Sequence, residues 1–247
     1  MKTAAATSPE QHSVPVSIML HLLPGMVTGI AFFLFGPFVQ HRNLPPFMAL
    51  CIADLVVLMP FVLGILIYQG YKKNGRLSLK GIVPYREQIS LPGYLLYVPI
   101  VLVASGLIPL LAPVSNSIFA RLFSWWPAAY NLAADLSAYS RSALIFSYIV
   151  NFLVISLAAP ITEEIYFRGY LLPRLSRFGL WAVPMHSILF ALFHVWSPWM
   201  AVARAVGLMP LVFVAQKKQN IYIGMIAHIL VNSLDVLTGV MFILKHS

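Results

Sequence analysis

The chain has 247 residues, 60% of them hydrophobic and 9% charged, with a mean hydropathy of +0.85. A soluble domain carries roughly a quarter charged residues, so an ordinary water-soluble globule is excluded, and repeated apolar runs of about 20 residues point to helices that cross a membrane. The net charge of +9, from 16 Lys and Arg against 7 acids, reads in this apolar context as basic loops against an anionic leaflet, with no nucleic-acid partner expected.

The runs do not alternate as the strands of a transmembrane barrel do, so the expected fold is all-α, a polytopic transmembrane helix bundle. Its N-terminal stretch "MKTAAATSPEQHS" lacks the charge-then-apolar order of a cleaved signal. The first apolar run is therefore expected to be kept as a span. Seven spans are predicted, at about 15–39, 47–69, 91–113, 142–165, 180–196, 199–216 and 221–244. The single cysteine, Cys51, lies in the second and reads as a small core residue. Between the third and fourth, residues 114–140 mix polar and aromatic side chains. They read as an interfacial helix with Trp125 and Trp126 at headgroup level, or as an eighth span. No repeat or linker divides the chain, so residues 1–247 are taken as one integral-membrane domain.

Orientation follows from the basic residues. The loop at 71–90 holds Lys72, Lys73, Arg76, Lys80 and Arg86, and alternation puts Lys2, Arg174, Arg177, Lys217 and Lys218 on the same side. Arg42, Arg121, Arg141 and Lys245 fall on the other, and Arg204, inside a short span, is left unassigned. This asymmetry predicts a multi-pass protein of the cell membrane with a cytoplasmic N-terminus.

Four of the seven acids, Asp54, Glu163, Glu164 and Asp235, fall in predicted spans, as do His21, His186, His194 and His228. A carboxylate at the bilayer centre costs about 2.5–3.5 kcal/mol even on the lenient insertion scale, so such residues are functional candidates by default. In "APITEEIYFRGYLL" Arg168 is one helical turn beyond Glu164 and can pair with it, while Glu163 points about 100° away. A structural Arg–Glu pair that pins two helices would explain that stretch by itself. The later spans add more: Phe190 and His194 share a face in "FALFHVW", and Gly224, His228 and Asn232 form one stripe in "GMIAHILVN", with Asp235 close to it. If the fourth and fifth spans form an antiparallel hairpin turning at Phe178-Gly179, Glu163 and His194 lie at one depth. They would then sit about 23 Å from the turn. His228 is much nearer the start of its span, so the hairpin would have to protrude from the membrane for all three to meet. His21 and Asp54 could line the same cavity or pair with each other, and His186, two turns before His194, could neighbour the site; the first reading for all three is polar residues satisfied between helices.

A glutamate and a histidine facing one water make a general base, and a second histidine with an amide suits a developing oxyanion. Zinc held by Glu163, His194 and His228 is the alternative; the chain has no HExxH. Other intramembrane protease signatures are missing, since there is no GxGD and the nearest string to GxSG, around Ser105, lacks its first glycine.

The three motifs Glu163-Glu164-Ile165-Tyr166-Phe167-Arg168, Phe190 to His194 and His228 to Asn232 resemble the EExxxR, FxxxH and HxxxN signature of the CAAX protease and bacteriocin-processing (CPBP, or Abi) family. The resemblance covers about residues 140–235. It implies an intramembrane endopeptidase related to type II CAAX prenyl proteases, of about eight spans, acting on a prenylated, signal-like or bacteriocin-like peptide or a membrane-protein segment. It implies that Glu163 and His194 activate water, that His228 and Asn232 stabilise the oxyanion, and that Glu164, Arg168 and Phe190 support them. A glutamate mechanism needs no cofactor; the family is also often labelled metalloprotease. The rival readings are a bacteriocin-immunity or scaffold protein of the same fold, and a small transporter, for which the inverted repeats or broken helices often found in that class are not seen.

Overall fold

The computed structural model describes residues 9–127, 130–132 and 135–246. They form a helical bundle, and Arg86–Asn220 is an isolated bridge rather than part of a strand. Five helices are long and apolar enough to cross a membrane: α1 (Val14–His41), α2 (Phe47–Asn74), α3 (Leu91–Phe119), the run Arg141–Phe193, and a C-terminal helix, Tyr222–Lys245. A sixth span is counted if the pair Pro198–Gly207 and Met209–Lys218, bent by 45°, crosses as one.

The 53-residue run is a hairpin. Gly179 has φ 56° and ψ −128°, a conformation costly to any residue with a Cβ, and it breaks the helix. On either side the chain packs on itself, with the Phe167 and Phe190 rings 4.7 Å apart. We call the two legs α4 (141–171) and α5 (Ala182–Phe193), followed by α6 (Ala201–Gly207), α7 (Met209–Lys218) and α8 (Tyr222–Lys245). The seven apolar segments of the sequence thus fold as five or six spanning units, because two share one run and one is bent. Residues 114–140 do not make an eighth spanning helix among the described residues: α3 ends at Phe119, turns follow, and Leu136–Ala138 is a single 3₁₀ turn. Residues 128, 129, 133 and 134 of that segment, like Lys2, lie outside the described residues. Trp126 is packed, its ring 5.1 Å from both Phe33 and Trp199, while Trp125 is exposed.

The tip of the hairpin, Leu172–Trp181, is a 3₁₀ layer in which Leu172, Pro173, Arg174 and Leu175 are buried and Ser176, Arg177, Leu180 and Trp181 are exposed, and the Gly179 carbonyl accepts a hydrogen bond from Gln216 at the end of α7. This layer replaces straight helix between Glu163 and His194, and both reach the cavity that His228 lines.

Three stretches are π-helical: Asp54–Leu58, Phe152–Ala158 and Glu164–Leu171. Each ends two residues before a proline, Pro60, Pro160 or Pro173. A proline removes one N–H and its ring clashes with the carbonyl one turn back, so the preceding turn widens to i→i−5 bonds, as in Ala159 N–H to Val154 O.

Polarity is inverted relative to a soluble protein. Leu34 and Val103 are 72% and 80% exposed, while Glu164 and Arg168 are fully buried. With no water outside to repel them, the outer side chains are free to be apolar, and the charges collect within. At one end the N-terminal segment, the 71–90 loop, the hairpin tip and the α7–α8 turn are tied together. His12 donates its N–H to Arg174 O, Arg174 donates to Ile82 O, and Glu87 donates its N–H to Gln219 O. These four segments carry the basic residues the charge count puts on one side.

Candidate active site

α8 is placed first by Asn220. Its side chain accepts the Ile223 N–H and donates to Glu87 O, locking the start of the helix to the 71–90 loop. Gly224, His228 and Asn232 then run up one stripe of α8 toward α4. Arg168 pairs with Glu164 at 3.1 Å, as the i,i+4 spacing predicts, with both side chains fully buried. The Arg168 guanidinium also stacks 3.9 Å from the Phe190 ring, a cation–π contact that is strong where water is excluded. Phe190 is therefore the floor on which Arg168 rests. The same Glu164 oxygen accepts the Nδ1–H of His228 at 3.2 Å.

Gly224 supplies the space. A Cβ built on it would lie 2.6 Å from Glu164 Oε2. This carboxylate cannot swing aside cheaply, because Arg168 and His228 hold its other oxygen. Gly224→Ala should therefore destabilise the protein by about 1–3 kcal/mol and displace Glu164 from His228. The check is a lower Tm in detergent together with reduced turnover.

Glu163 differs from its neighbour. It is buried, but no hydrogen bond reaches its carboxylate from another described side chain, and it lines a cavity of about 230 Å³. His194, His228 and Asn232 line the same cavity. His194 sits at the end of α5, where Phe190 O accepts a hydrogen bond from its Nδ1 at 2.9 Å. Because a carbonyl can only accept, Nδ1 carries the hydrogen and Nε2 has a free lone pair. Asn232 donates Nδ2–H to Ile155 O at 2.9 Å. In the i→i−5 register of Phe152–Ala158, the missing N–H of Pro160 is the one that would have taken Ile155 O. The proline thus leaves a carbonyl free, and Asn232 is oriented by it with a second amide hydrogen to spare.

Four sequence-selected residues, Glu163, His194, His228 and Asn232, therefore meet at one cavity, with Phe190 also in its wall. Glu164 and Arg168 sit behind it. Asp235 is turned away and accepts from Asn151. His21 and His186 bond each other at 3.0 Å outside the cavity lining. Two further charged residues line the cavity: Asp54, which the sequence offered only as an alternative, and Arg204, which it left unassigned. Asp54 was visible as an acid in an apolar run, and the π turn before Pro60 was its second signal. Arg204 was visible as a cation in a short span. Among the described residues no three His, Cys, Asp or Glu side chains, Glu163, His194 and His228 included, come together as a metal-binding group.

No curated protein and no solved structure matches the chain. The segment 145–234, which carries all three motifs, matches the family model described as type II CAAX prenyl endopeptidase, Rce1-like. That segment is similar to the CAAX-protease (CPBP) family, in keeping with the three motifs it carries.

Proposed function

We propose that this multi-pass membrane protein is an intramembrane endopeptidase that cleaves a prenylated, CAAX-like C-terminal peptide using a water activated by Glu163 and His194. The observation that carries the reading is the shared cavity, in which a free carboxylate, an imidazole with a free Nε2 lone pair and two oriented hydrogen-bond donors face one space. Glu163 takes a proton from the water as its oxygen attacks the scissile carbonyl carbon. His194 Nε2 accepts the other water hydrogen and aligns the lone pair. The carbonyl oxygen becomes an oxyanion that His228 and Asn232 stabilise. Glu164 holds the His228 ring through Nδ1 at the cavity wall. On collapse the C–N bond breaks and Glu163 passes its proton to the leaving amine.

The substrate arrives from the bilayer, where a prenyl chain contributes about 0.8 kcal/mol per buried CH₂. We propose a cell-membrane location with the N-terminus and the four tied basic segments cytoplasmic, a reading supported by the asymmetry of basic residues. The test is to incubate the purified protein in detergent or liposomes with a farnesylated C-a-a-X peptide and read the products by mass spectrometry. Release of the C-terminal tripeptide is expected, with the unprenylated peptide cleaved at least about tenfold more slowly and with no loss of rate in excess EDTA. An intact prenylated peptide would end this reading.

A further inference from the structure

Arg204 lines the same cavity as Glu163 and His194. It is half-buried on α6, and it belongs to neither ion pair among the described residues, which are Arg168–Glu164 and His228–Glu164. Its guanidinium is held only by neutral oxygens, with Nη1 on Ser197 O at 3.1 Å and Nη2 on Ser197 Oγ at 2.8 Å. Ser197 is in turn fixed to the motif histidine, its N–H donating to His194 O at 3.0 Å. The cation is therefore positioned one turn from His194, with three of its five N–H donors uncommitted to any described residue.

A guanidinium in the interior of a membrane bundle is costly without an anion. Glu163, on the same cavity, is the charge that acts on it but forms no ion pair with it, so the spare N–H groups of Arg204 are left for an anion that enters with the substrate. We propose that Arg204 receives the free C-terminal carboxylate of the substrate. The inference rests on the peptidase reading above and adds the substrate feature that is recognised. In a C-a-a-X peptide the prenylated cysteine is the fourth residue from the end, so the carboxylate lies three residues beyond the cysteine. That is roughly 10 Å in an extended chain, a span compatible with Arg204 and Glu163 lining one cavity. Arg204 attracts a carboxylate to its own side of the cavity, which sets peptide direction. A planar guanidinium with spare N–H groups suits bidentate binding of a carboxylate.

The experiment compares one prenylated peptide as its C-terminal acid and as its C-terminal amide. Alongside it, the free tripeptide product and its amide are compared for the rise in Tm they give the full-length protein. Wild type should prefer the acid by roughly 10- to 100-fold in kcat/KM, and only the acid tripeptide should raise Tm. Arg204→Gln should bring the acid-to-amide ratio close to one, and Arg204→Lys should keep part of it. Because the readout is a ratio within one protein, a variant that is merely less well folded leaves it unchanged. Equal handling of acid and amide by wild type, or an unchanged ratio in Arg204→Gln, overturns the proposal even if cleavage is robust. Acid-selective binding that Arg204→Gln abolishes, with no cleavage of any peptide, upholds the carboxylate site and defeats the peptidase reading instead.

Discussion

Glu163→Gln should leave the protein folded and lower cleavage of a prenylated peptide by at least about 1,000-fold. Folding is spared because the Glu163 carboxylate takes no hydrogen bond from another described side chain and faces open cavity, so an amide of the same size loses no partner. Activity is not spared, because an amide cannot take the proton from water or return it to the leaving amine. His194→Ala should cost less, roughly 100-fold, since it removes the group that aligns the water but keeps the base. Combining the two should cost little more than Glu163→Gln alone, as expected of residues that act on one water. The check is single-turnover cleavage by each variant, with thermal unfolding in the same detergent to show that the proteins are folded. Wild-type rates in Glu163→Gln would remove Glu163 from the chemistry and leave the cavity without its base.

How far this was legible beforehand depended on the period of the signal. Residues one turn apart on one helix are constrained by local geometry alone, and the Glu164–Arg168 pair and the Gly224, His228, Asn232 stripe followed from that. The hairpin was also readable, because Glu163 with His194 and Phe167 with Phe190 are each centred on Phe178-Gly179, and the rings of the second pair do meet. Depth was not readable. The sequence does not say that Leu172–Trp181 forms a 3₁₀ layer, so a straight hairpin had to be imagined protruding. The span count is approximate for a related reason: hydropathy counts apolar segments, whereas a kink at Gly179 or a bend between α6 and α7 decides how segments join. Asp54 and Arg204 lie on α2 and α6, outside the three motifs, and only tertiary packing brings them to the same wall as Glu163. The prolines after each π segment were in plain view, but their consequence, a free Ile155 carbonyl for Asn232, needs the i→i−5 register to be known first.

The largest stability effect is expected at Arg168. Arg168→Met keeps approximate length and apolar bulk but leaves the Glu164 carboxylate fully buried with its cation gone, a loss of about 3–5 kcal/mol. Arg168→Lys keeps the charge and should fall between, because an ammonium lacks the planar face that stacks on Phe190. Glu164→Gln removes the opposite partner and strands the guanidinium, so it too should destabilise. The double variant Glu164→Gln with Arg168→Met leaves no uncompensated charge, and should be more stable than Arg168→Met alone; the single effects will not add. Activity separates the structural part of the pair from its part in the chemistry. With Gln at 164 the Nδ1–H of His228 meets a neutral amide in place of a carboxylate, so the ring is held less firmly in the position from which it stabilises the oxyanion. The double variant should therefore recover Tm while staying roughly 100-fold or more below wild type in kcat. Recovery of both would show that Glu164 only holds helices together, and recovery of neither would show that the Arg168 stack on Phe190, rather than charge balance, is what the bundle requires.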